Sequence, residues 1–103
     1  LLEKFLLWNG FKKENFDLFD FDKKKLPHTK FDVIISLYSL DYHYEFNLYK
    51  DYLYKVMSPK SVLIFDTIRP EYFDSVFKNV EIIKQDLHTI HKSKRIACRD
   101  FRD

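Results

Sequence analysis

Three aspartates stand at or just beyond short apolar runs. Asp20 follows Phe16-Asp17-Leu18-Phe19, Asp41 comes a few residues after Val33-Ile34-Ile35-Ser36-Leu37, and Asp66 closes Val62-Leu63-Ile64-Phe65. Runs of this length read as strands, the second and third being rich in β-branched residues, and in open α/β sheets ligands bind beyond the carboxyl ends of strands. Carboxylates on such a rim accept hydrogen bonds from the amine or hydroxyl groups of a ligand, although Asp is also a common turn and capping residue. Asp41-Tyr42-His43 sets an imidazole near a carboxylate at a strand end, which suits general-base chemistry near neutral pH. Asp86, His88 and His91 have the spacing of metal ligands, but no second cluster supports them and no metal is expected. Lys92, Lys94, Arg95, Arg99 and Arg102 could contact phosphate; a solvated edge strand protected by its charges accounts for them better. Cys98, on an apolar strand, reads as an inert core residue.

The elements that must position these groups follow from periodicity. Leu2, Phe5 and Leu6 recur at helical spacing, and Gly10 follows where a left-handed C-terminal cap belongs. Phe16 to Phe19 is a short strand candidate, and Asp22 to His28 is a polar loop. Phe31 to Leu40 holds the strongest strand, apolar on both faces as buried parallel strands are. From Glu45 to Met57 the spacing predicts a helix with Phe46, Tyr49, Leu53 and Val56 on one face, ending before Ser58-Pro59. Ser61 to Phe65 is a second buried strand, Pro70 opens a short helix, and Val80 to Asp86 and Arg95 to Arg99 are two closing strands. Buried strands alternating with helices argue for one α/β domain over residues 1–103. The expected sheet is mostly parallel and Rossmann-like, with an antiparallel C-terminal edge.

Composition narrows the function classes. The chain has 103 residues, 46% of them apolar and 33% charged, enough for one core and against disorder. It holds 1 Gly, where average usage would give roughly seven. No glycine-rich phosphate cradle can therefore be built from these residues. A net charge of +2 is too small to argue for nucleic acid by bulk electrostatics. A single cysteine, Cys98, excludes an internal disulfide and fits a reducing, cytoplasmic setting. No apolar run is long enough to span a bilayer, so no membrane partner is expected. The first residue is Leu1 rather than Met, which reads as a beginning inside something longer.

The run Phe31-Asp32-Val33-Ile34-Ile35-Ser36-Leu37-Tyr38-Ser39-Leu40-Asp41-Tyr42-His43 resembles the fourth strand of class I S-adenosylmethionine-dependent methyltransferases. Ser61 to Thr67 resembles their fifth strand, and Leu2 to Gly10 followed by Asn15 to Asp20 resembles their second helix, glycine turn and third strand. The resemblance implies a strand order of 3-2-1-4-5-7-6. It also implies S-adenosylmethionine as cofactor, with Asp20, or Asp22 as the alternative, accepting from the adenine amine and Phe21 packing on the ring. Ser36, Leu37 and Tyr38 would flank the methionine end, Asp41 and His43 would face the acceptor as catalytic residues, and Asp66 would bind substrate. The family's first strand, its glycine-rich turn and the acid ending its second strand have no counterpart here. The expectation is thus an incomplete domain, part of a longer enzyme that methylates a small molecule or sugar, inactive alone and partnered by the missing N-terminal segment of the same domain. A non-catalytic α/β module that binds a partner along its sheet edge is the alternative, and a basic nucleic-acid contact module the more distant one.

Overall fold

The computed structural model describes residues 1–15, 29–85 and 92–102. Helix α1 (Leu2–Trp8) ends as its sequence predicts. Gly10 takes φ +90, its N–H donates to the Leu7 carbonyl and the Phe11 N–H to that of Leu6. These are the paired bonds of a glycine-terminated helix. None of the α1 side chains is buried, and Leu2, Phe5 and Trp8 face solvent.

Strands β1 (Phe31–Ser36), β2 (Met57–Thr67), β3 (Phe77–Gln85) and β4 (Lys94–Phe101) form one sheet in the order β1-β2-β4-β3. Helix α2 (Phe46–Val56) connects β1 to β2, which pair in parallel, and a 3-10 helix over Pro70–Ser75 leads from β2 to β3. β4 runs antiparallel to both β2 and β3. The sheet is therefore mixed rather than mostly parallel: one pair is parallel and two are antiparallel. The reversed last strand is also internal, not an edge. It returns from β3 and fills the slot beside β2, leaving β3 on the outside. The expected strand over Phe16 to Phe19 lies outside the described residues.

β2 starts at Met57, four positions before the expected start at Ser61, and contains Pro59. The pairing explains how. Phe31 is opposite Met57 but Val33 is opposite Val62, so residues 58–61 bulge out of the ladder. A proline is tolerated there because no ladder donor is required of it. Ser61 Oγ secures the bulge by donating to the Phe31 carbonyl and accepting from the Ser58 N–H. Lys30 closes the end of α2 by donating to the Lys55 and Met57 carbonyls, satisfying acceptors that a helix C-terminus leaves open.

The core lies on one face of the sheet. Phe46 of α2 meets Phe73 edge-on at 4.9 Å, Phe73 meets Phe65 of β2 at 4.8 Å, and Phe77 and Leu63 complete the layer. Such edge-to-face contacts add to what area burial contributes. On the opposite face Val33 and Ile35 are 52% and 61% exposed, with Val62 and Ile64 half-buried beside them. This corrects the expectation that β1 is buried on both faces. Its composition is that of an internal strand, but in the described sheet it has one neighbour, β2, and its outer edge is open. Among the described residues no helix is long and apolar enough to cross a membrane.

Truncating Phe65, at 0% exposure, to alanine should cost about 3–5 kcal/mol by transfer loss and cavity formation. Ile35→Thr, at an exposed position on the same sheet, should stay within about 0.5 kcal/mol. Urea unfolding of the two variants checks this, and comparable losses would mean that the sheet has no open face.

Candidate functional site

The rim at the carboxyl ends of β1 and β2 is built around the segment that follows β1. Ser36 Oγ accepts from the Leu40 N–H at 3.0 Å, and Leu40 drops its side chain into the core. The Ser39 carbonyl accepts from the N–H groups of Tyr42, His43 and Tyr44, and Asp41 N–H donates to the Tyr44 carbonyl at 2.7 Å. The chain turns this tightly by placing Tyr38 at φ 53 and Asp41 at φ 68. Left-handed backbone costs a residue with a Cβ on the order of 1–2 kcal/mol, the full penalty at Tyr38 and less at Asp41, since Asp tolerates this region better.

Two carboxylates hold this turn from different directions. Asp66, near the end of β2 and 2% exposed, accepts from the Tyr38 N–H at 3.0 Å through Oδ2. Arg95 of β4 donates to the same carboxylate, Nε to Oδ1 at 3.0 Å and an Nη to Oδ2 at 3.4 Å. Asp41 accepts from Thr67 Oγ1 at 2.6 Å and from Arg69 Nε at 3.1 Å, both on Oδ2, and from an Arg69 Nη on Oδ1 at 2.6 Å. Arg69 also lies over the Tyr72 ring, 4.2 Å from its centroid. Donating to the Asp41 carboxylate holds the Arg69 pKa above its ordinary value. Bidentate pairs of this kind fix geometry as well as charge.

Asp41 and Asp66 thus share one rim as their spacing suggested, but they face protein donors. Asp66 is not open to a substrate: its oxygens point to Arg95 and the Tyr38 amide. Asp41 is not paired with His43. Its partners are Arg69 and Thr67, and the His43 side chain is exposed. Leu37 and Tyr38 are half exposed at 47% and 45%, with Tyr38 edge-on to Tyr42 at 6.1 Å. The Tyr42 hydroxyl is buried with no hydrogen-bond partner among the described residues. Asp20, Phe21 and Asp22 lie outside the described residues, as do Asp86, His88 and His91. Among the described residues no group of His, Cys, Asp and Glu could hold a metal. A separate cleft of about 430 Å³, lined by Lys30, Tyr54, Ser58 and Lys78 among others, opens at the opposite end of the strands.

Thr67, Arg69 and Arg95 do not stand out in the sequence. Arg95 reads there as one charge among five on an edge strand. Only the register, which sets Arg95 opposite Asp66, turns it into half of a cross-strand ion pair.

No family model, curated protein or solved structure matches the chain.

Cys98 is fully buried, and burial, with the Asp74 carboxylate adding to it, pushes its thiol up to about 12. Burial raises the Tyr52 phenol in the same direction. The unfolded thiol titrates near 8.5, so above that pH the unfolded chain has lost a proton that the folded chain keeps. Stability from this source is whole below about pH 8.5 and drains away as pH rises toward the folded value. Native protein at pH 8 should therefore react with a thiol-directed disulfide reagent only as it unfolds, and denaturant midpoints should fall between pH 8.5 and 11. Stoichiometric labelling of native protein within the mixing time would contradict this.

Proposed function

We propose that this chain forms the carboxyl-terminal part of a class I-type S-adenosylmethionine-dependent methyltransferase domain acting on a small-molecule or sugar hydroxyl. One observation carries the reading. The order β1-β2-β4-β3, with β4 antiparallel between two strands that precede it in the chain, corresponds to positions 4-5-7-6 of the strand order that the resemblance implies. Among the described residues β1 pairs only with β2, and its other edge is where that order would set the family's first strand. The N-terminal segment of the same domain is thus the partner this reading requires.

The residues present fit the cofactor in part. Leu37 and Tyr38, exposed at the carboxyl end of β1, are available as one wall of the methionine end. Ser36 spends its hydroxyl on the Leu40 amide and acts as a brace behind that wall. The sequence lacks the glycine turn that would form the opposite wall. S-Adenosylmethionine, when bound, supplies an electrophilic methyl group. With Asp41 committed to Arg69, the exposed His43 is the group left to take a proton from an acceptor hydroxyl, and proximity can carry much of the rate.

The non-catalytic alternative, a module that binds a partner strand, is favoured by the same exposed β1 edge, since natural edge strands are normally shielded. Titrating the ¹⁵N-labelled chain with S-adenosylhomocysteine to millimolar levels separates the two. The methyltransferase reading expects weak, progressive shifts of the Leu37 and Tyr38 amides. No shift there, or shifts confined to the cleft lined by Lys30 and Lys78, would leave the partner-binding module as the better reading.

A further inference from the structure

We infer that the two ion pairs at the end of β2 form a two-point clamp that holds residues 37–44 as one pre-set unit, and that Thr67, Arg69, Asp66 and Arg95 are positioning residues for it. The first point fixes the start of the segment. Asp66 receives the Tyr38 N–H, and Arg95 holds that carboxylate in place from the neighbouring strand. The second fixes its middle. The Asp41 carboxylate is bound to Thr67 and Arg69, which come directly after Asp66 in the chain. Both anchors therefore sit within four consecutive residues, 66–69, at the end of the strand that carries Leu63 and Phe65 into the core.

The segment would not keep this shape by itself. Two of the four non-glycine residues with positive φ among the described residues, Tyr38 and Asp41, fall three positions apart within it. The Tyr42 hydroxyl is buried unpaired in the same turn. Strained backbone and an unsatisfied buried hydroxyl each favour a relaxed alternative. The clamp and the buried Leu40 side chain oppose that relaxation. Because each anchor suppresses the same opening, loosening one must loosen the other. Coupling of this kind separates a unit from two independent contacts.

The purpose of the clamp, keeping Leu37, Tyr38 and His43 in a ligand-ready arrangement, rests on the methyltransferase reading, but the clamp itself needs no ligand to be tested. Native-state hydrogen exchange on the full chain follows the Tyr38 and Asp41 amides, with Leu63 and Ile96 as core controls. In Asp41→Asn combined with Thr67→Val, the Tyr38 amide should exchange about tenfold faster or more, although neither substituted side chain touches it, while the controls keep their rates. In Asp66→Asn the Asp41 amide should respond in the same way. Should Asp66→Asn fail to fold, the first variant carries the test alone. Acceleration confined to the amide at the altered anchor would overturn the clamp. So would equal acceleration of the core amides, because the opening would then be global. Neither result would alter the response to S-adenosylhomocysteine, so failure of the clamp and failure of the functional reading are distinguishable.

Discussion

A chain with a single glycine must make its remaining left-handed turns with residues that carry side chains, and much of this structure follows from that constraint. Gly10 closes α1. Among the described residues Tyr38, Asp41, Lys92 and Asp100 take positive φ without glycine's freedom. The Cβ penalty at such positions has to be offset nearby. At Tyr38 the offset comes from the Asp66 carboxylate, at Asp41 from Arg69 and Thr67, and Asp100 accepts from Asn79 at 3.0 Å. Polar pairs that look from their residue types like candidates for chemistry are thus occupied with holding backbone.

The same strand connects this arrangement to the stability of the fold. β2 is paired on both sides, sends Leu63 and Phe65 into the aromatic layer, and ends in the residues that anchor the rim. Arg95 reaches Asp66 only because β4 lies antiparallel beside β2 in the observed register. Rim geometry is therefore set by sheet geometry, as pre-organised sites on rigid elements require. β1 is the counterpart: among the described residues it pairs with β2 alone, and its Val33 and Ile35 side chains are more than half exposed. The functional reading proposed above would set further strands beside it.

Periodicity carried the helices and most strands. Phe46, Leu53 and Val56 do face the core, and Val62 to Phe65 is a strand, as its β-branched and aromatic residue types favour. The sequence could not reveal the burial of β1, since a strand's exposure depends on its neighbours and not on its own residues. Pro59 inside β2 was equally hidden, because a bulge that excuses a proline is a property of the pairing. For the candidate site, Asp41 and Asp66 were visible as acids near strand ends, but their roles were not. Asp41 and His43 are close in the chain and separate in their contacts, whereas Asp41 and Arg69 are 28 positions apart and bonded. Asp20 and Phe21 fall outside the described residues.

The most direct measurement of whether left-handed strain at the rim is real, and held by its surroundings, compares two substitutions at one position. Tyr38→Gly and Tyr38→Ala both delete the ring and keep the N–H that Asp66 accepts. They differ in whether the backbone at φ 53 carries a Cβ. The account predicts that the glycine variant unfolds at higher urea concentration and is more stable by about 1 kcal/mol, because relief of the Cβ clash outweighs glycine's greater unfolded-state entropy. An alanine variant as stable as the glycine variant, or more so, would contradict it: position 38 would then not be strained, and the Asp66 carboxylate would have no backbone cost to offset there.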